Sequence, residues 1–106
     1  MNKYHNVKTE IDGHTFDSKH EAGRYCELIV LRDAGMISGL ILQPSFDISI
    51  NGHRICKYIA DFEYFTHDSS RRIIEDAKSE ATRRIPIYRL KKKLMKAVYD
   101  IDIVEV

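Results

Sequence analysis

Asp61, Asp76 and Lys78 are the residues whose types and spacing could do chemistry. Asp61 sits in the run Tyr58-Ile59-Ala60-Asp61-Phe62-Glu63-Tyr64, and the other two close the run Ile73-Ile74-Glu75-Asp76-Ala77-Lys78. Both runs are rich in β-branched and aromatic residues, and the polar turn His67-Asp68-Ser69-Ser70 separates them, so both read as strands. Side chains alternate along a strand, which puts Asp76 and Lys78 on one face and Glu75 on the other. Paired as a hairpin, the two strands would bring Asp61 beside Asp76 and Lys78. Neighbouring carboxylates repel unless a cation or a shared proton resolves the conflict. Hard oxygen ligands in a small site suit Mg²⁺ or Mn²⁺. A lysine beside them can position or deprotonate a water and balance the charge of a phosphate-centred transition state. The plainer reading is a surface strand with Asp76 and Lys78 as neighbouring charges and Asp61 as a turn or cap acid. Against it, Asp61 lies between Ala60 and Phe62, where a lone carboxylate is costly unless paired or metal-bound.

The elements that must position these residues follow from local signals. Residues 1–15 are polar and basic, with a turn at Asp12-Gly13, and read either as a hairpin or as a partly ordered arm. Ser18-Lys19-His20-Glu21 fits a capping box, and Ala22, Tyr25, Cys26, Ile29 and Val30 recur at core-facing spacing. Gly35 is a natural stop, so a helix is predicted over about 18–34. Residues 40–50 form a strand with Phe46, Ile48 and Ile50 on one face and an edge position or bulge at Pro44. Asn51-Gly52 then turns the chain into a strand over 54–66. A third strand covers 72–78, and an antiparallel meander is the simplest arrangement. Pro86 opens a second helix, in which Ile87, Leu90, Leu94 and Val98 recur at helical spacing. The tail from Ile101 to Val106 alternates, and a crossover would pair it beside the third strand.

At 106 residues the chain is one domain, with 43% hydrophobic and 31% charged residues and a formal net charge of +1. Lys and Arg nevertheless cluster at Arg71-Arg72, at Arg83-Arg84 and from Arg89 to Lys96. That is a local basic stripe of the kind that contacts nucleic acid, or equally a solvated helix face. The two cysteines, Cys26 and Cys56, lack C-x-x-C spacing and are expected to be reduced and buried. The five histidines show no zinc-ligand spacing and are expected at the surface. There is no phosphate-binding glycine loop, nucleophile elbow or H-x-x-x-H pair, so nucleotide hydrolysis, serine catalysis and an HNH-type site lack support. No apolar run approaches the ~20 residues of a membrane span, nor does a signal-peptide core follow Met1, so the default location is cytoplasmic.

Asp61 followed by Asp76-Ala77-Lys78 resembles the signature of the PD-(D/E)XK nuclease superfamily. The predicted order of helix, three strands, helix and strand matches that superfamily's αβββαβ core, an α/β restriction-endonuclease-like fold with a small mixed sheet flanked by two helices. Asp12-Gly13, Phe16-Asp17-Ser18 through Glu21, Gln43-Pro44, Ala60-Asp61-Phe62, Glu75 to Lys78 and Tyr88-Arg89-Leu90-Lys91 together resemble a family of short phage and prophage proteins of unknown function. That family is similar to small Holliday-junction-resolving endonucleases. The resemblance implies that Asp61, Asp76 and the Ala77 carbonyl bind Mg²⁺ or Mn²⁺, and that Lys78 handles the water. It implies further that Glu21 completes the site, although spacing alone favours Glu21 as a capping residue. Glu75 competes with Asp76 for the metal role. Strand parity favours Asp76 unless a bulge shifts the register.

The function implied is a metal-dependent DNA endonuclease of phage recombination or replication, selective for branched DNA and working as a homodimer. Arg71, Arg72, Lys91, Lys92, Lys93 and Lys96 would grip backbone phosphates. The alternatives are a non-catalytic DNA-binding or regulatory protein on a nuclease scaffold and a sequence-specific nicking enzyme.

Overall fold

A computed structural model of the chain describes residues 8–106. It opens on a hairpin of β1 (Thr9–Ile11) and β2 (His14–Phe16), turned by Asp12 and Gly13 at φ of 54° and 78°. Two consecutive left-handed residues match the twist of the flanking strands. Of the two readings for the N-terminal stretch, the hairpin is therefore the one adopted here, while residues 1–7 lie outside the described residues.

Helix α1 (Lys19–Asp33) starts where Ser18 Oγ accepts the Glu21 N–H at 3.1 Å, half of the expected capping box. The Glu21 carboxylate takes its backbone hydrogen bond from Asp17 instead of Ser18. At the other end Gly35, with φ of 77°, lets the Met36 N–H reach the Leu31 carbonyl and stop the helix. The buried face is Glu21, Ala22, Tyr25 and Leu28, rotated from the expected stripe. Cys26 and Val30 consequently face solvent, and Cys56 is half-buried, which corrects the expectation of two buried thiols.

The two long strands expected over 40–50 and 54–66 are each broken once. They form β3 (Ile37–Leu42) with β4 (Ser45–Ile50), and β5 (His53–Ile59) with β6 (Phe62–Thr66). Pro44 offers no ladder donor and Gln43 adopts a left-handed φ of 53°, so one break falls there. Directly across, Ala60-Asp61 breaks the partner, and the Gln43 N–H to Asp61 carbonyl and Ala60 N–H to Pro44 carbonyl bonds tie the bends together. The β4–β5 hairpin, turned at Asn51-Gly52, bends away from the main sheet.

That main sheet has the strand order β3-β6-β7-β8, with β7 at Arg72–Asp76 and β8 at Val104–Glu105. β3, β6 and β7 form the expected antiparallel meander, and β8 lies parallel to β7 after a crossover through α3 (Pro86–Tyr99). The fold is thus α/β with a small mixed sheet. A third, one-turn helix, α2 (Glu80–Arg83), precedes α3, and β7 and β8 are shorter than expected.

Apolar side chains pack on both faces of the sheet. Phe62, Tyr64 and Ile37 meet Ala22, Tyr25 and Leu28 of α1 on one side. Ile74, Ile48 and Tyr58 meet Tyr88 and Met95 of α3 on the other. Each fully buried side chain of this kind contributes about 1.5–3 kcal/mol. Helix α3 does not bury the stripe expected of it: Ile87, Leu90 and Val98 are 57%, 51% and 39% exposed, and only Leu94 packs inward. Tyr88 and Met95, seven residues apart and so nearly superposed on the helix, form the inward face. Among the described residues no helix is long and apolar enough to cross a membrane.

Candidate active site

The bend at Ala60-Asp61 and the end of β7 meet, and the chemistry gathers at that junction. Asp61 N–H points at β7, donating to the Glu75 carbonyl at 3.1 Å and to Asp76 Oδ1 at 3.0 Å. In return the Ala77 N–H donates to Asp61 Oδ2 at 2.8 Å. The Asp76 carboxylate is therefore held by the Asp61 backbone, and the Asp61 carboxylate by the backbone of Ala77, the residue after Asp76. Lys78 lies just past the end of β7, yet its Nζ stays on the Asp76 side, 3.9 Å from Oδ1 and 5.3 Å from the centre of the Tyr88 ring.

Asp76 and Glu75 are both fully buried, on opposite faces of β7. Glu75 faces α1, where Arg24 grips it through Nε to Oε1 at 2.6 Å and Nη2 to Oε2 at 2.9 Å, with the Tyr64 hydroxyl also donating. Such a bidentate fork uses the carboxylate's geometry fully. Hydrogen bonding to Glu75 drives the Arg24 pKa upward, and burial with the same partner moves Tyr64 up to about 12. Asp76 faces α3, where the Tyr58 hydroxyl donates to its Oδ2. The strand parity read from the sequence thus separates a carboxylate gripped by an arginine fork from one held by neutral donors and a lysine 3.9 Å away.

Glu21 approaches from the first turn of α1 and is 5% exposed. Burial, and then the charge of Asp61, push its pKa up to about 7, against the pull of the Asp17 backbone and Lys78. Burial likewise raises Asp61, with Lys78 and the Ala77 N–H opposing. Asp76 rises to about 6 by burial, again opposed by Lys78. Glu21 feels the charge of Asp61, Asp61 is bonded through its N–H to Asp76, and all three carboxyl groups resist ionisation.

A cleft of about 170 Å³ exposes part of this set, lined by Asp17, Glu21, Asp61, Ala77 and Lys78 together with His20. Asp76 stands behind the cleft wall, its oxygens turned to the Asp61 N–H and Tyr58. Each carboxylate oxygen retains a second lone pair, so Asp76 keeps capacity to ligate. Among the described residues no three His, Cys, Asp or Glu side chains already stand together as a metal-binding group. The donor set, hard oxygens with raised pKa values, fits Mg²⁺ or Mn²⁺ in kind.

Tyr58, Asp17 and His20 escaped the sequence reading. A buried tyrosine needs a polar partner, which is the signal that Tyr58 carried. His20, exposed as expected, has its Nε2 2.7 Å from the Val106 carbonyl oxygen at the cleft's rim.

The basic residues divide. Lys92, Lys93 and Lys96 line one cavity of about 490 Å³, joined by Arg83 and Arg89, which the sequence reading left out of the site. Lys91 is half-buried and does not line it. Arg71 and Arg72 lie at the opposite end of β7 from Asp76, about 13 Å away at the usual strand rise, so they are not brought to the carboxylates. Arg72 pairs with Glu63 at 2.9 Å and stacks 5.5 Å from the centre of the Phe46 ring.

Residues 1–104 match the family described as "Protein of unknown function (DUF1064)". No curated protein and no solved structure matches the chain.

Proposed function

The chain belongs to the DUF1064 family, and from the geometry of its cleft we propose that it is a metal-dependent DNA endonuclease of the PD-(D/E)XK type. The observation that carries the reading is the cleft that brings Glu21, Asp61 and Lys78 together from three separate segments, with Asp76 bonded behind it and three carboxyl pKa values raised by burial. Asp61, Asp76, Glu21 and the Ala77 carbonyl would hold Mg²⁺ or Mn²⁺. When bound, the ion supplies Lewis acidity toward a phosphate oxygen and lowers the pKa of water. Lys78, beside the cleft and within reach of Asp76, orients the attacking water and offsets charge developing on the phosphate. Tyr58 and the Asp61 N–H fix the Asp76 carboxylate, and the Ala77 N–H fixes Asp61.

The proposed substrate is branched DNA, cut by a homodimer that sets two sites on opposing strands. Exposed Ile87, Leu90 and Val98 on α3 support a surface for the second copy. The same reading assigns the activity to phage or prophage recombination or replication in the bacterial cytoplasm.

A second reading, a non-catalytic DNA-binding protein on this scaffold, is favoured by the inward engagement of both Asp76 oxygens. One experiment separates the two. Four-way junction, flap, linear duplex and single-stranded DNA are incubated with Mg²⁺, Mn²⁺ or EDTA and the wild-type, Asp76→Ala or Lys78→Ala protein, whose mass is first set by light scattering. Metal-dependent paired incision of the junction, lost in both variants, is the expected result. Binding without incision, indifferent to both substitutions, would sink the nuclease reading, and a monomeric mass would remove the dimer from it.

A further inference from the structure

The 490 Å³ cavity is joined to the carboxylate cleft through two residues. The Arg83 guanidinium lines the cavity while its Nε donates to the Lys78 carbonyl at 3.2 Å. The Tyr88 ring lines it too and carries Lys78 Nζ over its face. At its far end the cavity meets a second one, of about 240 Å³, because Ile101 and Asp102 line both. Arg71 and Arg72 line that second cavity. A continuous concave path therefore leads from Lys78, between α3 and the segment entering β8, to the β6–β7 turn.

Basic side chains outnumber acidic ones along it. Lys92 is matched by Glu105 at 3.2 Å, and Lys96 by Asp100 at 2.9 Å and Asp102 at 3.0 Å. Arg83, Arg89 and Lys93 have no acidic partner among the described residues, and all three are exposed. Cations that are unpaired, concave in arrangement and set against an apolar floor of Ile101 and Ile103 suit a chain of phosphates with organic spacers. The width decides which chain. A cavity of 490 Å³ is of small-molecule size and admits a nucleotide or so at a time, whereas a duplex is far too broad to enter.

We infer that this path is a track for a single unpaired DNA strand, running from the carboxylate cleft past Arg83, Arg89 and Lys93 toward Arg71 and Arg72. The inference takes from the nuclease reading only the identity of the polymer, and it gives that reading a source of selectivity. A branched substrate presents an unpaired or splayed strand beside the phosphate to be cut, and linear duplex does not. Arg83 acts here as a positioning residue, tying the strand's first phosphate to the backbone of Lys78.

The test titrates the protein in EDTA with a short fluorescein-labelled single strand, and with a duplex of the same sequence, over a series of salt concentrations. Wild-type protein is compared with Arg89→Gln/Lys93→Gln and with Lys8→Gln/Arg32→Gln, which removes the same charge at positions that line neither cavity. Losing two phosphate contacts lowers the slope of log K against log[salt] for a single strand by about 1.4. That fall is expected for the cavity pair and not for the control pair, with the duplex slope changing less. Equal slopes for both variants, no binding by the wild type, or an equal loss on duplex would each overturn the track. Cleavage by the same proteins in Mg²⁺ is scored separately. Incision with an unaltered slope removes the track and leaves the nuclease, and an altered slope without incision under any metal does the reverse.

Discussion

Asp76→Asn should make the metal-free protein more stable while abolishing any incision. In the folded chain the Asp76 pKa stands near 6 against a reference of 3.8, because burial penalises its charge more than Lys78 and its hydrogen-bond donors repay. A rise of roughly 2 units at ~1.4 kcal/mol each makes the ionised group destabilising by about 3 kcal/mol at neutral pH. Asparagine keeps an oxygen for the Asp61 N–H but presents an amide to Tyr58, whose hydroxyl must turn from donor to acceptor. That exchange costs about 1 kcal/mol, leaving a net gain of about 1–2 kcal/mol. For a domain of this size the melting temperature rises by on the order of 5–10 °C. The sign depends on pH in a definite way. Preference for the protonated folded form is fully present below 3.8 and is lost as pH rises through about 6, so the penalty on the wild type grows across that window and is complete above it. Thermal unfolding in EDTA at pH 7.5 and at pH 4 is the assay. A variant less stable than wild type at pH 7.5, or a gap that does not close toward pH 4, would refute the argument.

Two further outcomes follow from neighbouring contacts. Arg24→Met strands the fully buried Glu75 carboxylate and should cost about 3–5 kcal/mol, whereas Arg24→Met/Glu75→Leu should recover much of it, so a double-mutant cycle in urea should give strong coupling. Cys26 should react with a thiol reagent in the native protein well before half-buried Cys56, and equal rates would contradict the rotated face of α1.

What the sequence made legible were features governed by short-range geometry. Left-handed pairs at Asp12-Gly13 and Asn51-Gly52, the Ser18 cap, the Gly35 stop and Pro86 at the start of α3 each depend on a few adjacent residues. Strand parity at Glu75 and Asp76 belongs to the same class, since a period of two survives any detail of packing. What was not legible needed a partner distant in sequence. Helix α3 carries apolar residues on two faces, and only contact with Ile48, Ile74 and Ile103 selects Tyr88 and Met95 over Ile87 and Leu90. Tyr58 and Arg24 are ordinary strand and helix residues until Asp76, 18 positions on, and Glu75, 51 positions on, are folded against them. The irregularity at Pro44 was legible from the missing donor, but the break at Ala60 was not, because it answers Gln43-Pro44 across the ladder.

The contrast between Glu75 and Asp76 says more about the site than either acid alone. A strand with two consecutive buried carboxylates must satisfy both, and here one is given an arginine fork and a tyrosine. The other receives only a hydroxyl, a backbone N–H and an ammonium 3.9 Å away. Stability alone would favour treating both alike, or replacing Asp76 by a neutral group of the same shape. Glu21 and Asp61 crowd the same junction, and their pKa values are raised for the same reason. Carboxyl burial only partly offset by hydrogen bonds and Lys78, repeated at Glu21, Asp61 and Asp76, is a local cost that the fold does not require. On the nuclease reading proposed above, a cation bound beside Asp61 would offset that cost.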